Sequence, residues 1–296
     1  MTTHQTSSFA PSLAMTQWHS VAAGFFAGCV TKSTTSPLDV LKVLFQTKHL
    51  HRGSIHKTGL HLYAENGLRG FWKGNFAGCC RLGPYSGIKF CLFDHLQARH
   101  GAAPTSAERA ASGALAGMVA TIAIYPMELI RTHLIVSNRA ATIHSVCANI
   151  LRTEGLVGFY RGCFSGLVGA IPFEGIQFAC YEYGKHYAME HRWLLWDWPE
   201  TKTQLHTCDH LTLGSLSGAL AQMVAYPFDT IKKRLQIQGK GGVQYKGLLD
   251  CFFKVIRDEG ALALYGGSLP NLIRIIPYGA VMFASYEAAK DFLKSL

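Results

Sequence analysis

The sequence predicts an all-α membrane protein of six transmembrane helices, arranged as three tandem repeats with threefold pseudosymmetry and three short interfacial helices. Three observations carry this. Of 296 residues, 49% are apolar and only 16% charged, against about a quarter charged in a typical soluble domain. One proline-centred motif recurs three times. Each repeat also supplies two apolar stretches of the length a bilayer requires, about 20 residues.

The motif is Pro-x-acid-x-x-base. It occurs as Pro37-Leu-Asp39-Val-Leu-Lys42, Pro126-Met-Glu128-Leu-Ile-Arg131 and Pro227-Phe-Asp229-Thr-Ile-Lys232. Nine residues before each proline stand Gly28, Gly117 and Gly218, and four before those stand Gly24, Gly113 and Gly214. Downstream, a second element runs from Glu65 to Gly74, from Thr153 to Gly162 and from Asp258 to Gly267. A third begins at Pro84, Pro172 and Pro277. Repeated elements in a fixed order are the mark of a repeat architecture.

The expected spans are 18–46, 75–98, 107–136, 163–187, 209–237 and 268–293, giving repeats 18–98, 107–187 and 209–293 of one domain over 1–296. Shorter amphipathic stretches at 54–66, 141–153 and 247–259 are expected to lie at the interface. Trp193, Trp196 and Trp198 mark another interfacial segment. G-x-x-x-G lets helices approach closely. A proline cannot donate its backbone hydrogen bond, so the odd-numbered spans should kink.

Acid and base three residues apart share a helical face, and charges inside a membrane need partners or water. Around a threefold bundle, Asp39 would meet Arg131, Glu128 would meet Lys232, and Asp229 would meet Lys42. A second set, Asp94, Glu182 and Glu287 against Lys185, Lys290 and Gln97, lies near the far ends of the even-numbered spans.

The net charge of +10 suits an anionic partner. The basic residues are spread along the chain with no recognisable module, which argues against nucleic acid. Nine cysteines form no C-x-x-C pair and read as free thiols. His206, Cys208 and His210 have metal-ligand character but no second ligand pair, so no metal or other cofactor is expected. No nucleophile–base set or glycine-rich phosphate loop points to an enzyme. The segment 1–16 has no Lys or Arg and so resembles neither a secretory signal nor a transit peptide.

These motifs identify the chain as resembling the mitochondrial carrier family (solute carrier family 25). The resemblance implies a monomeric six-helix barrel with short matrix helices, multi-pass in the mitochondrial inner membrane and working by alternating access. It makes the first charge set a matrix gate and the second a cytoplasmic gate. The family places a glutamine under each matrix pair, matched by Gln46 and Gln236, with Ile135 departing. It places cardiolipin at an aromatic-base-glycine element, matched by Lys73-Gly74 and Arg161-Gly162. The third copy keeps Gly267 and has Gly266 in place of the base.

In such a carrier, polar residues that break the threefold pattern are the expected solute contacts. Arg81, Gly169 and Arg274 occupy one matched position, Lys32, Thr121 and Gln222 another, and Lys89, Gln177 and Met282 a third. Lys32, Arg81 and Arg274 are expected as uncompensated cations suited to a polyanion. Gly169-Ala170 is expected to leave room for a ring, and Glu174 to neutralise one cation. Within the family, local wording resembles the member-43 type carriers and the thiamine pyrophosphate and coenzyme A subgroup. The solute expected is a small anion, a phosphorylated cofactor or nucleotide, exchanged by antiport. The alternatives are a carboxylate or proton carrier, and a non-transporting membrane adaptor with this fold.

Overall fold

The structure, a computed structural model, describes residues 10–47, 55–99, 105–137, 141–190, 207–238 and 244–295. Trp193, Trp196, Trp198 and His206 lie outside them, as do the side chains of Cys208 and His210. Nine α-helices and no strand occur among the described residues.

The six long helices are α1 (Ala10–Thr47), α3 (Asn75–Arg99), α4 (Ser106–Val136), α6 (Cys163–Glu190), α7 (Thr207–Ile237) and α9 (Ser268–Ser295). Between the members of each pair lie α2 (Ile55–Asn66), α5 (Ile143–Glu154) and α8 (Leu248–Glu259). Each short helix is followed by one 3₁₀ turn, at Leu68–Trp72, Leu156–Tyr160 and Ala261–Tyr265. The order long helix, short helix, turn, long helix therefore occurs three times.

By hydropathy alone, two stretches among the described residues are long and apolar enough to cross a membrane, Ala111–Val136 and Leu156–Ala188. The other long helices carry more charge inside their lengths. Lys32, Asp39 and Lys42 interrupt α1, and Asp229, Lys232, Lys233 and Arg234 end α7. The repeats thus reveal spans that composition hides.

The short helices are amphipathic at a spacing of four. Val146 and Ile150 are buried in α5, and Cys251 and Val255 in α8. Leu151, Leu249 and Phe253 are exposed, the apolar face that an interfacial helix turns toward lipid. Thr105 and Thr142 close capping boxes at the starts of α4 and α5. Gly74, Gly162 and Gly267 have φ of 70°, 79° and 85° and immediately precede α3, α6 and α9. An L side chain is disfavoured in that left-handed conformation.

By contacts the chain falls into two units, one of Met1–Leu41, Gly53–Phe159 and Ile273–Leu296, the other of Lys42–Arg52 and Tyr160–Leu272. In the first, α4 packs along α3. Gly113 and Gly117 face Phe93 and Lys89 at 3.8 and 4.0 Å from where a Cβ would stand. In the second, α7 packs along α6, and Ile231, Leu235, Cys251, Val255 and Leu264 form a core between α7, α8 and the turn after it. The expected role of G-x-x-x-G is corrected at Gly24 and Gly214, where a Cβ would meet nothing within 4 Å.

Candidate functional site

In the first unit, α1 contains Pro37 and carries Lys32 before it and Asp39 after it. Asp39 is a hub. Its Oδ2 accepts from Lys32 Nζ at 3.1 Å and from Arg131 Nη2 of α4 at 3.0 Å. Arg274 Nε of α9 lies 3.3 Å from Oδ1 without hydrogen-bond geometry. The Arg274 guanidinium also lies over the Tyr278 ring, 5.4 Å from its centroid, within cation–π range. One helical turn away, Arg81 Nη1 of α3 donates to Glu128 Oε2 of α4 at 3.2 Å.

Lys32, Arg81 and Arg274 are therefore compensated, contrary to the expectation from sequence. The reason is physical: a charge in low dielectric is costly alone, so the carboxylates at hand take the cations. The cations still outnumber the acids. Four basic side chains surround two carboxylates in this cluster, a formal excess of two positive charges. Lys89, half-buried beside Gly117, makes no ion pair among the described residues.

The second unit repeats part of the arrangement. Lys42 Nζ lies 3.6 Å from Asp229 Oδ2 and 5.4 Å from the centroid of the Tyr226 ring. Gln222 Nε2 donates to the same Asp229 oxygen at 3.0 Å. Gln222 reaches Asp229 as Lys32 reaches Asp39, seven residues on and across a proline. The sequence singled out both positions but not their reach to the acid.

Gln46 does not brace a pair as expected among the described residues. Gln46 is fully buried and neither atom of its amide makes a hydrogen bond, while Gln236 Oε1 accepts from Lys233 Nζ at 3.0 Å. The reading of Gly169 is also corrected. A Cβ there would stand 2.6 Å from Phe228 Cβ, so the glycine admits α7 against α6 and leaves no room for a ring. Ala170 follows it, half-buried, and Glu174 is exposed and makes no ion pair among the described residues, so it neutralises none of their arginines.

At the far ends of the even helices, Asp94, Gln97, Glu182, Lys185, Glu287 and Lys290 make no ion pair among the described residues. Asp94, Glu287 and Lys290 are exposed, and Gln97 Nε2 is buried without a hydrogen bond. Lys73 Nζ donates to Ser137 O at 2.9 Å and so ties the Gly74 turn to the end of α4. Gly267 approaches the end of α1, where a Cβ would lie 2.8 Å from Lys42 O. A Cβ on neighbouring Gly266 would lie 3.1 Å from Phe45 O.

Sequence reading missed a further pair. Arg234 donates through Nη1 and Nη2 to the two Glu259 oxygens at 2.5 and 2.8 Å, and through Nε to Gln46 O at 3.1 Å. The signal was present in the repeats. The matched positions read Leu44 with Asn66, His133 with Glu154 and Arg234 with Glu259.

A family model described as mitochondrial carrier protein matches the chain three times, over residues 14–101, 102–192 and 203–296. The chain belongs to the mitochondrial carrier family. Mitochondrial carriers are transporters, not enzymes, and this one is a multi-pass protein of the mitochondrial inner membrane. It is 33% identical to a mitochondrial adenine nucleotide transporter of Arabidopsis thaliana, over 93% of this chain and 86% of the relative. It is 35% identical to solute carrier family 25 member 43 of Danio rerio, over 90% and 79%. It is 31% identical to mitochondrial thiamine diphosphate carrier 1 of Arabidopsis thaliana, over 93% of each. The member-43 and thiamine pyrophosphate resemblances read from local wording are both represented among these relatives.

Proposed function

We propose that this carrier exchanges phosphorylated cofactors or nucleotides, of the adenine nucleotide, thiamine diphosphate or coenzyme A class, by alternating access. The observation that carries the proposal is the cluster around Asp39 and Glu128, with its formal excess of two positive charges. Buried cations favour an anion that completes their neutralisation, and arginine forks match phosphate oxygens in pairs. Lys32, Arg81, Lys89 and Arg274 are the contacts for such an anion. Two of the relatives are named for adenine nucleotide and thiamine diphosphate.

Asp39, Lys42, Glu128, Arg131, Asp229 and Lys232 serve as the matrix gate in this reading. Asp94, Gln97, Glu182, Lys185, Glu287 and Lys290 serve as the cytoplasmic gate. Alternating access needs one set joined while the other is parted. Asp39 is buried among cations while Asp94 is exposed and makes no ion pair among the described residues, which supports that division of labour. The turns at Lys73-Gly74, Arg161-Gly162 and Gly267 open onto helix N-termini, where backbone N–H groups favour anions. Cardiolipin phosphates are the proposed occupants, and a single chain is the proposed working unit.

The test is uptake by purified protein in liposomes. Labelled ADP, thiamine diphosphate and coenzyme A are offered beside citrate and inorganic phosphate. Saturable exchange of a phosphorylated cofactor or nucleotide is the expected result. Uptake of citrate alone would overturn the substrate class and leave the carrier assignment standing.

A further inference from the structure

Pro37 has no N–H, so the helical donor that would bond the carbonyl four residues earlier is missing. That carbonyl belongs to Ser33. Inside a bilayer an unsatisfied carbonyl has no water to turn to. Here the Trp72 indole supplies the bond, with Nε1 donating to Ser33 O at 2.9 Å. Trp72 ends the 3₁₀ turn Leu68–Trp72 of the same repeat. Two more bonds join this stretch of α1 to the turn and to the start of α3. Ser36 Oγ donates to Phe71 O at 3.0 Å, and Asn75 Nδ2 donates to Ser33 Oγ at 2.9 Å.

The third repeat keeps the helix-to-turn bonds and has no bond described in the other direction. There the helix donates to the turn, from Tyr226 OH to Gly266 O at 3.1 Å and from Thr230 Oγ1 to Leu264 O at 2.6 Å. Tyr265, at the position matched to Trp72, stacks on the Tyr226 ring with centroids 6.2 Å apart.

Pro37 and the Ser33 carbonyl bonded by Trp72 both lie between Lys32 and Asp39. Seven residues of straight helix separate two side chains by about 10.5 Å along the axis. Lys32 Nζ nonetheless reaches Asp39 Oδ2 at 3.1 Å. A bend of α1 at this proline would set whether Asp39 meets Lys32, Arg131 and Arg274 together. We propose that Trp72 is a positioning residue for transport, whose indole N–H fixes the bend of α1 at Pro37 and through it the place of Asp39. This rests on the reading of the Asp39 cluster as part of the transport machinery.

A double-mutant cycle tests it. Trp72→Phe keeps a ring and removes the donor. Pro37→Ala returns an N–H that can bond Ser33 O within the helix. The four proteins are compared in liposomes by kcat and KM for ADP exchange, and in detergent by thermal unfolding midpoint. With Pro37 in place, Trp72→Phe lowers kcat about tenfold, the effect of leaving one acceptor in the bilayer unmade, with little change in KM, and lowers the midpoint. In the Pro37→Ala background the same change lowers neither. Equal losses in both backgrounds, or no loss with Pro37 in place, would overturn the proposal. The unfolding cycle needs no solute. Failure of the unmutated protein to exchange ADP therefore strikes the nucleotide reading and leaves the Trp72–Ser33 bond to be decided by the midpoints. A midpoint cycle as expected, with kcat unmoved by Trp72→Phe, would leave the bond structural and overturn the positioning role.

Discussion

The carboxylate of Asp39 faces Lys32, Arg131 and Arg274, and one negative charge is shared among three cations. An anionic solute that needs Lys32 and Arg274 must therefore take them from Asp39. Asp39→Asn removes the competitor while also breaking the contact with Arg131. The expected outcome in liposome exchange is a lower KM with a lower kcat, and a KM that rises with kcat unchanged would count against it. Arg274→Ala and Arg81→Ala should each cut affinity at least tenfold, since losing a charge-assisted contact costs about 2–5 kcal/mol and about 1.4 kcal/mol is a factor of ten. Arg→Lys should restore only part, because lysine lacks the planar fork. Normal exchange by the Arg81→Ala, Arg274→Ala double variant would remove both from the site. Much of this cluster was legible in sequence, because Pro-x-acid-x-x-base fixes acid and base in each repeat. The hub was not. Pairing by threefold symmetry assigns one base to each acid, whereas Arg274 comes to Asp39 from 235 positions away in the chain. Gly169 misled for a related reason. A glycine at a matched position does not reveal whether it faces open space or, as here, Phe228 of the next helix.

Among elements, α7 and α8 are joined where the other repeats differ in residue type. Arg234 and Glu259 are both nearly buried, with side chains 5% and 10% exposed, so removing one partner strands the other charge. Glu259→Gln should destabilise the protein by about 3–5 kcal/mol, read as a lower thermal unfolding midpoint. Pairing it with Arg234→Met should recover much of that loss, because an apolar replacement of both partners leaves no stranded charge. A midpoint unchanged by Glu259→Gln would show that the pair contributes nothing. Cys251 lies in the same core, fully buried, its thiol pushed up to about 12 by burial. A thiol raised that far is about 10⁻⁴ thiolate at pH 8, so Cys251 should resist maleimide until the protein is unfolded. Labelling of native protein at Cys251, located by mass spectrometry, would contradict the packing of α8. The helices themselves were close to fully legible, since apolar length, proline and the glycine before each even helix recur at fixed offsets. The turns that follow the short helices were not, because a five-residue 3₁₀ segment has no periodicity long enough to read.

At the scale of the whole molecule, the repeats are units of sequence and the compact units are units of contact, and the two do not coincide. The boundary falls inside α1, between Leu41 and Lys42, because the last turns of that helix pack with Tyr226, Gly266 and Gly267. Sequence similarity between repeats carries no information about such packing. It does fix the direction of the chain. Each repeat crosses the membrane twice, so α1, α4 and α7 run one way and α3, α6 and α9 return. The prediction that follows is that α2, α5 and α8 share one side, the matrix, and both termini the other. Arg152 in α5, Arg257 in α8 and His186 near the end of α6 are exposed, the first two predicted at the matrix side and the third at the other. Single cysteines placed at these three positions, in a variant whose nine native cysteines are replaced, report the arrangement directly. A membrane-impermeant maleimide added to intact mitoplasts should label His186→Cys and spare Arg152→Cys and Arg257→Cys, which become reactive once the inner membrane is opened. Labelling of one of the two arginine positions without the other would break the parity of the repeats. Labelling of both with His186→Cys spared would keep the parity and reverse the orientation, placing the Asp39 cluster toward the intermembrane space.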